Sequence, residues 1–194
     1  MKSTSVTLLF LTVLAVACKS SSIEGSGFLD DYSGLKKSKV NKGAWAWYKP
    51  GIDLRKYSFL QIDPIVVRAV AGSATDKLSA DLKKRATDGF KEVLFETIDP
   101  YYTVVPNKAT NVLRVRLALT DLTPDEGDGA EGSAALEGEL IDSVTGESLA
   151  KFVSRVSGSS KGYRAEKQWR AVEGAFIEWA ERLLDYMDSF QAPE

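Results

Sequence analysis

Residues 111–122 read NVLRVRLALTDL, and apolar side chains take every second position from Leu113 to Leu119. Residues 134–141 (AALEGELI) and 149–156 (LAKFVSRV) repeat this alternation. A period of two is typical of a β-strand that buries one face and exposes the other. The DSVTGE segment at 142–147 predicts a tight turn between the last two strands, with Asp142 capping it and Gly146 at positive φ. Together the three stretches predict an antiparallel meander.

The polar faces of these strands are basic, acidic and basic in turn: Arg114 and Arg116, then Glu137 and Glu139, then Lys151 and Arg155. Opposite charges on neighbouring strands attract across the surface of a sheet. We therefore place the Glu137 strand in the middle of the meander and expect its carboxylates to form solvated ion pairs. The alternative is that the two glutamates serve as the paired carboxylates of a hydrolase.

Two long stretches outside the meander have the apolar spacing of three and four that is typical of an amphipathic helix. The first covers residues 78–98, with Thr75 or Asp76 as the expected cap, and ends before the proline at position 100. The second covers residues 168–190, and its apolar face includes Trp169, Phe176, Trp179 and Leu183. We expect both apolar faces to pack against the sheet as core.

Two further segments complete the predicted fold. Residues 57–71 favour a strand but are interrupted by Pro64, which has no N–H for a ladder, and residues 101–105 form a short strand. The predicted order is β-α-β-β-β-α. We therefore predict an α/β chain of the α+β type: a two-layer sandwich in which a mostly antiparallel sheet of about four to five strands has two helices on one face. We expect residues 57–190 to form a single globular domain.

Residues 1–17 are typical of a secretory leader. Lys2 precedes an apolar run at 6–16, which at about 11 residues is shorter than the roughly 20 that a spanning helix needs. The run ends in Ala15-Val16-Ala17-Cys18 and resembles a bacterial lipobox, in which the cysteine is lipidated and begins the mature chain. We predict lipidation at Cys18, the only cysteine. The alternative is an ordinary signal peptide cleaved after Ala17.

The residues that follow Cys18 predict where the anchored protein lies. Residues 18–27 comprise the lipidated cysteine and a tether of mostly small residues. In the Gram-negative lipoproteins that this leader resembles, an aspartate directly after the cysteine favours the inner membrane. Lys19 therefore implies the outer membrane, and we expect the domain to face the periplasm.

Residues 28–56 show weak periodicity, and their lysines and arginines outnumber their acidic residues. We predict an irregular basic and aromatic arm between the tether and the domain. Its aromatic cluster of Trp45, Trp47 and Tyr48 is the candidate contact surface, because exposed aromatic rings suit membrane interfaces and stacking on sugars. The alternative is that these rings pack onto the domain.

The composition excludes several classes of function. The chain has 194 residues and no histidine, which removes the serine–histidine–aspartate triad and every histidine-ligated metal site. A net charge of −2 gives no basic field for nucleic acid. The acidic loop at 121–131 lacks the EF-hand spacing, and we interpret it as a hairpin loop. We predict no catalytic residue, no cofactor, no metal and no nucleic-acid partner.

The segment SGFLDDYSGL at 26–35 is distinctive. Taken with DSVTGE at 142–147 and the late Trp169 and Trp179, it resembles a bacterial lipoprotein family that is known as a domain of unknown function. The likeness covers essentially the whole mature chain. It implies an envelope location and lipidation, and it implies no activity.

From these observations we predict a membrane-anchored periplasmic lipoprotein that acts as a non-catalytic interaction or structural module of the cell envelope. Its partners are the membrane, reached through Cys18, and an envelope protein or peptidoglycan. Two alternatives stay open. One is a small-ligand or glycan-binding lipoprotein that uses Trp45, Trp47 and Tyr48, and the other is a hydrolase built on the paired glutamates.

Overall fold

The computed structural model describes residues 23, 25–38, 43–124, 132–157 and 167–189. The strands are β1 (Lys36–Lys37), β2 (Ala44–Tyr48), β3 (Phe59–Ile62), β4 (Val66–Val67), β5 (Thr103–Val104), β6 (Val112–Thr123), β7 (Ser133–Asp142) and β8 (Ser148–Ser157). The helices are α1 (Ala74–Lys77), α2 (Ala80–Ile98) and α3 (Arg170–Ser189), and a 3-10 turn at Lys167–Trp169 leads into α3. This part of the chain is an α+β fold with one open sheet.

The meander predicted from the sequence is confirmed. Strand β7 lies between β6 and β8 and is antiparallel to both. Arg116 on β6 lies opposite Glu139, which in turn lies opposite Lys151 on β8. The acidic strand is therefore in the middle, as the charge pattern predicts.

One carboxylate organises the turn from β7 to β8. Asp142 Oδ1 accepts hydrogen bonds from the N–H groups of Val144 and Thr145 at 3.1 and 3.0 Å, and the Tyr57 hydroxyl donates to Oδ2 at 2.7 Å. Gly146, with a φ of 74°, takes the left-handed conformation that glycine adopts without strain. These hydrogen bonds, of which the one from the Thr145 N–H has the largest effect, hold the pKa of Asp142 below its ordinary value. Burial and the nearby Asp142 carboxylate raise the pKa of Tyr57.

The sheet has eight strands in the described part of the chain, more than the four to five predicted. Their order is β1-β2-β8-β7-β6-β3-β5, and β4 also pairs with β6. Strands β1 and β2 come from residues 28–56, where we expected irregular structure, and β2 pairs with β8 along its whole length. The break at residues 63–65, which includes Pro64, divides residues 57–71 into β3 and β4. Strands of two residues are too short to show a period.

Toward the edge of the sheet that contains β3 and β5, neighbouring strands run parallel to each other. Strand β3 pairs in parallel with both β5 and β6, whereas the long ladders at the centre are antiparallel. A parallel pair needs a crossover connection, because the chain must return to the starting end of the sheet. Helices α1 and α2 supply that connection between β3 and β5.

The start of the first long helix differs from the prediction. Ser73 caps α1 and Ser79 caps α2, each accepting a hydrogen bond at 3.2 Å from the N–H three residues further along. Thr75, one of the two expected caps, is buried, and its hydroxyl accepts from the Leu122 N–H at 2.6 Å. A short helix bonded to β6 therefore precedes α2, where the sequence predicted one long helix.

Helices α2 and α3 share one apolar core with one face of the sheet. The ring of Phe90 on α2 lies 5.1 Å from that of Phe176 and 5.8 Å from that of Trp179, measured between centroids. Trp179 also donates to Ser154 Oγ on β8 at 3.1 Å. The predicted apolar face of the terminal helix is confirmed as core by the burial of Trp169, Phe176, Trp179 and Leu183.

The opposite face of the sheet is covered as well, and here the prediction of a solvated charge ladder is wrong. Phe28 and Leu29 pack against Val153 of β8 in a second, smaller apolar cluster. Beneath this cover Glu137 is 2% exposed and Glu139 is 6% exposed. Alternation shows which face a side chain takes, but it does not show what lies on that face. We call residues 25–35 the docked arm and this side of the sheet the arm face.

Candidate functional site

Glu137 is the buried carboxylate at the centre of the arm face. The Ser26 N–H donates to its Oε1 at 2.8 Å, and the Tyr32 hydroxyl donates to its Oε2. The hydroxyl oxygen of Tyr32 also accepts from the N–H groups of Gly27 and Leu29, each at 3.1 Å. One carboxylate and one phenol therefore hold the turn of the docked arm against the sheet.

The SGFLDDYSGL segment docks because its residue types suit this turn. Gly27 has a φ of 79°, in the region that favours glycine. Phe28 and Leu29 then become buried against the sheet, and the Phe28 ring centroid lies 5.1 Å from the Arg116 guanidinium carbon. Burial, and then the hydrogen bond to Glu137, raise the pKa of Tyr32 and keep its hydroxyl a donor. The distinctive segment is thus the one that attaches the arm.

The charged groups around Glu137 pair differently from the prediction. Arg116 Nη1 lies 2.8 Å from Glu139 Oε2, so this cross-strand ion pair forms as expected. Arg114 instead binds Asp63 through two N–H groups, at 2.9 and 2.7 Å. Glu137 has the docked arm as its partner, where the sequence predicted neighbouring basic side chains.

The two glutamates are arranged to hold the fold. Carboxylate pairs in glycoside hydrolases flank a bound sugar, and inverting enzymes also leave room for a water molecule between them. Here the docked arm bonds to both oxygens of Glu137, and Arg116 binds Glu139. Both carboxylates are therefore held by groups of the chain itself.

The three aromatic residues of the predicted contact surface lie on β2 but do not share a face. Trp45 and Trp47 lie on the arm face, where the Lys151 Nζ is 5.9 Å from the centroid of the Trp47 ring. Tyr48 points to the helix side and stacks on Tyr186 of α3, with 4.9 Å between ring centroids. Burial raises the pKa of both tyrosines. The period of two along β2 explains the separation and could have revealed it.

A small cavity lies beside Tyr48 and Tyr186, between β2, β8 and the helices. At one end the Trp179 Nε1–H and the Arg182 Nη1–H donate to Ser154 Oγ at 3.1 and 3.0 Å. Its volume is about 80 Å³, whereas an apolar cavity of about 150 Å³ accepts benzene. The cavity is too small for a sugar ring, and its lining includes Trp45 and Tyr48 but not Trp47.

A larger groove, of about 540 Å³, lies between α2 and α3. Lys84, Asp88 and Glu92 of α2 line one side, and Trp169 and Phe176 contribute to the other. The groove belongs to the helix layer, on the opposite side of the sheet from the docked arm. Its mixed charge favours no single class of ligand.

Two further features of the described residues concern metal binding and the membrane. Within these ranges no cluster of three or more histidine, cysteine, aspartate or glutamate side chains could hold a metal ion. None of the described helices is long and apolar enough to cross a bilayer. The leader, Cys18 and the acidic residues at 125–131 lie outside the described residues, so the expectations about them stay predictions.

Comparison with protein families identifies relatives of the chain. Residues 24–130 match the family described as "Protein of unknown function (DUF3313)". The chain belongs to this family. The expected resemblance to a domain of unknown function is thus confirmed at the level of the family. The DUF3313 match includes the SGFLDDYSGL segment and ends before the DSVTGE turn.

Solved structures resemble the DUF3313 chain at low sequence identity. Protein XCC0632 from Xanthomonas campestris, of the DUF330 family, is 11% identical with a TM-score of 0.50, over 74% of this chain and 91% of that one. The PelC dodecamer from Paraburkholderia phytofirmans is 13% identical with a TM-score of 0.43, over 70% and 94%. Lipoprotein GNA1162 from Neisseria meningitidis is 9% identical with a TM-score of 0.39, over 66% and 99%. No curated protein matches the chain. The likeness to protein XCC0632 concerns the fold alone.

Proposed function

We propose that this DUF3313 protein is a lipoprotein anchored in the outer membrane, whose folded domain is a non-catalytic interaction or structural module of the cell envelope. The observation that carries the proposal is the apolar run at 6–16, which ends in Ala-Val-Ala before Cys18. The sole cysteine lies where lipidation requires it. Two or more acyl chains hold a protein stably on a membrane, whereas one chain binds only marginally.

The folded domain supports a non-catalytic role. Three of its buried carboxylates are bound by groups of the chain itself: Glu137 by the docked arm, Glu139 by Arg116 and Asp142 by the turn that it caps. These contacts stabilise the fold, which supports a structural role for the three carboxylates. The partners within reach of an anchored domain are the membrane itself, an envelope protein or peptidoglycan.

Metabolic labelling with an alkyne fatty acid tests the anchor. We expect the wild-type chain to incorporate the label and Cys18→Ser to lose it, because serine has no thiol to accept the diacylglyceryl group. Ser21→Ala is the matched control and should be labelled like the wild type. Equal labelling of wild type and Cys18→Ser would refute lipidation at this residue.

Membrane fractionation tests the sorting of the anchored chain. We expect the wild type to accompany outer-membrane markers, because Lys19 follows the cysteine. Lys19→Asp should move the protein toward inner-membrane fractions. Wild-type protein that accompanies inner-membrane markers would contradict the assignment to the outer membrane while leaving lipidation intact.

A further inference from the structure

We propose that the docked arm orients the domain on the membrane, with the arm face toward the phospholipid headgroups and the helices away from them. The proposal rests on the proposed function, because it requires the lipid anchor at Cys18. It assigns to the arm face, including Trp45, Trp47 and Lys151, a partner of defined chemistry: the headgroup region of a bilayer.

The arm is fixed at the middle of the sheet. Ser26 binds Glu137 at 2.8 Å, and Glu137 lies halfway along β7. In the order β1-β2-β8-β7-β6-β3-β5, strand β7 has three strands on either side. At about 4.8 Å per strand, each lateral edge of the sheet is roughly 14 Å from the point of attachment. Ile23, upstream of Ser26, also packs against the apolar cluster of this face, so the chain leaves the domain from the arm face.

The tether from this point to the anchor is short. Eight peptide steps separate Cys18 from Ser26, and a fully extended chain of that length spans at most about 26–29 Å. To place the helices against the membrane, the tether would cover about 14 Å to a sheet edge and then a helix layer about 10–12 Å deep. That path uses almost the whole tether, even without the thickness of the sheet. With the arm face toward the bilayer, the tether has length to spare.

The side chains of the arm face suit a headgroup layer. Lys37 of β1 lies opposite Trp45, and Lys151 of β8 lies opposite Trp47, so the four share one face. Tryptophan is enriched at membrane interfaces, and lysine is attracted to anionic headgroups. Asp31 of the arm interacts electrostatically with Lys151 and lowers the net charge of this surface. The tether, more than charge, therefore determines the orientation.

Fluorescence quenching in vesicles tests the orientation. Lipidation uses the thiol of Cys18, so a cysteine introduced elsewhere in the full-length lipidated chain is a unique site for a fluorophore. Lys151→Cys labels the arm face, and Lys91→Cys labels the exposed side of α2. In phosphatidylcholine vesicles with a headgroup-linked nitroxide, we expect several-fold stronger quenching at position 151 than at position 91. Equal quenching, or stronger quenching at position 91, would overturn the proposal.

A longer tether provides a test that leaves the domain unchanged. Insertion of about 20 Gly and Ser residues after Ser22 adds a flexible reach of roughly 25 Å, enough for the helix side to approach the bilayer. We expect the difference in quenching between the two positions to fall toward none. A difference that persists would show that attraction between the arm face and the headgroups orients the domain, which contradicts the role that the proposal gives to the short tether.

Vesicle flotation separates this proposal from the proposed function. A chain that does not float with vesicles is not anchored, and the proposed function fails with it. A chain that floats but shows no difference in quenching between positions 151 and 91 leaves the anchor intact and refutes only the orientation.

Discussion

At the scale of single residues, Asp142 shows how one carboxylate stabilises a turn. Its pKa is lowered because the turn N–H groups and the Tyr57 hydroxyl favour the ionised form. Stabilisation from a lowered pKa is complete above the unfolded-state pKa of about 3.9 and is lost as pH falls through the folded-state value. We expect Asp142→Asn to lower the free energy of unfolding at pH 7 by about 1.5–3 kcal/mol and to weaken its decline below about pH 4.

Urea unfolding from pH 7 down to about pH 3 measures this effect. Asp53→Asn is the matched control, because Asp53 is an exposed carboxylate paired with Arg55 at 2.8 Å. Its midpoint should stay at the wild-type value, as exposed ion pairs contribute little. Equal shifts in both variants would show that Asp142 has no special part in the acid response.

Tyr32 is the second residue on which a local structure depends. Its hydroxyl joins Glu137 to the N–H groups of Gly27 and Leu29. We expect Tyr32→Phe to lower the free energy of unfolding by about 1–3 kcal/mol, because a buried carboxylate loses a donor. Amide hydrogen exchange should also quicken at Gly27 and Leu29 but not at the buried Val115.

The control for Tyr32→Phe is Tyr101→Phe, since Tyr101 is 68% exposed. We expect this variant to keep both the wild-type stability and the slow exchange at the docked arm. If Tyr32→Phe lowers stability without faster exchange at Gly27 and Leu29, the hydroxyl does not hold the arm.

At the scale of elements, replacing a glycine with alanine is expected to change stability in opposite directions at two positions, one in β7 and one in α2. A Cβ at Gly138 of β7 would lie 2.1 Å from the ring of Phe152, whereas a Cβ at Gly89 of α2 would meet its nearest atom, on Phe176, at 4.0 Å. We expect Gly138→Ala to destabilise the protein by about 1–3 kcal/mol through overpacking. We expect Gly89→Ala to stabilise it by about 0.5–1 kcal/mol, because alanine is the better helix former.

Chemical denaturation of the two glycine variants tests both signs. Combining Gly138→Ala with Phe152→Ala should remove most of the overpacking cost, which a double-mutant cycle detects. A stabilised Gly138→Ala would mean that Phe152 moves aside freely. A Gly89→Ala variant less stable than the wild type would mean that the two helices pack more closely at this point.

The elements that the sequence places most fully are those in which a period repeats several times. The period repeats over several alternations in strands β6, β7 and β8 and over several turns in helix α3. Each of these elements is found where the pattern places it. The short strand predicted at 101–105 is found as β5, whereas β1 and β2 lie in residues 28–56, where irregular structure was predicted, and their pairing depends on neighbours distant in the chain. The start of α2 was missed for a related reason, because Thr75 favours a cap locally and is recruited by Leu122 of β6 instead.

At the scale of the whole molecule, the sequence did not reveal that both faces of the sheet are covered. Arg114, Arg116 and Glu139 suggested a face in contact with solvent. Two residues did not fit a solvent-exposed face, because Ala118 and Val153 place apolar side chains on that same face. The pattern of one strand cannot identify a cover that comes from residues 25–35, about a hundred positions away along the chain. The sequence likewise did not reveal that Trp45 and Trp47 lie on this face, because residues 28–56 were predicted to be irregular and β2 was not expected.

The covered face leads to a prediction about the smallest chain that folds. Residues 23–56 contribute β1, β2, the docked arm and Leu54, which is buried in the main core. Full burial of Phe28, Leu29 and Leu54 stabilises the fold by about 1.5–3 kcal/mol each, against a total stability of about 5–15 kcal/mol for a typical domain. Without these residues, β8 also becomes an open edge and Glu137 loses its donors.

We expect a chain beginning at residue 23 to unfold cooperatively in urea and one beginning at residue 57 to show no such transition. A shorter chain with the same midpoint would show that the arm is an accessory to a domain complete without it.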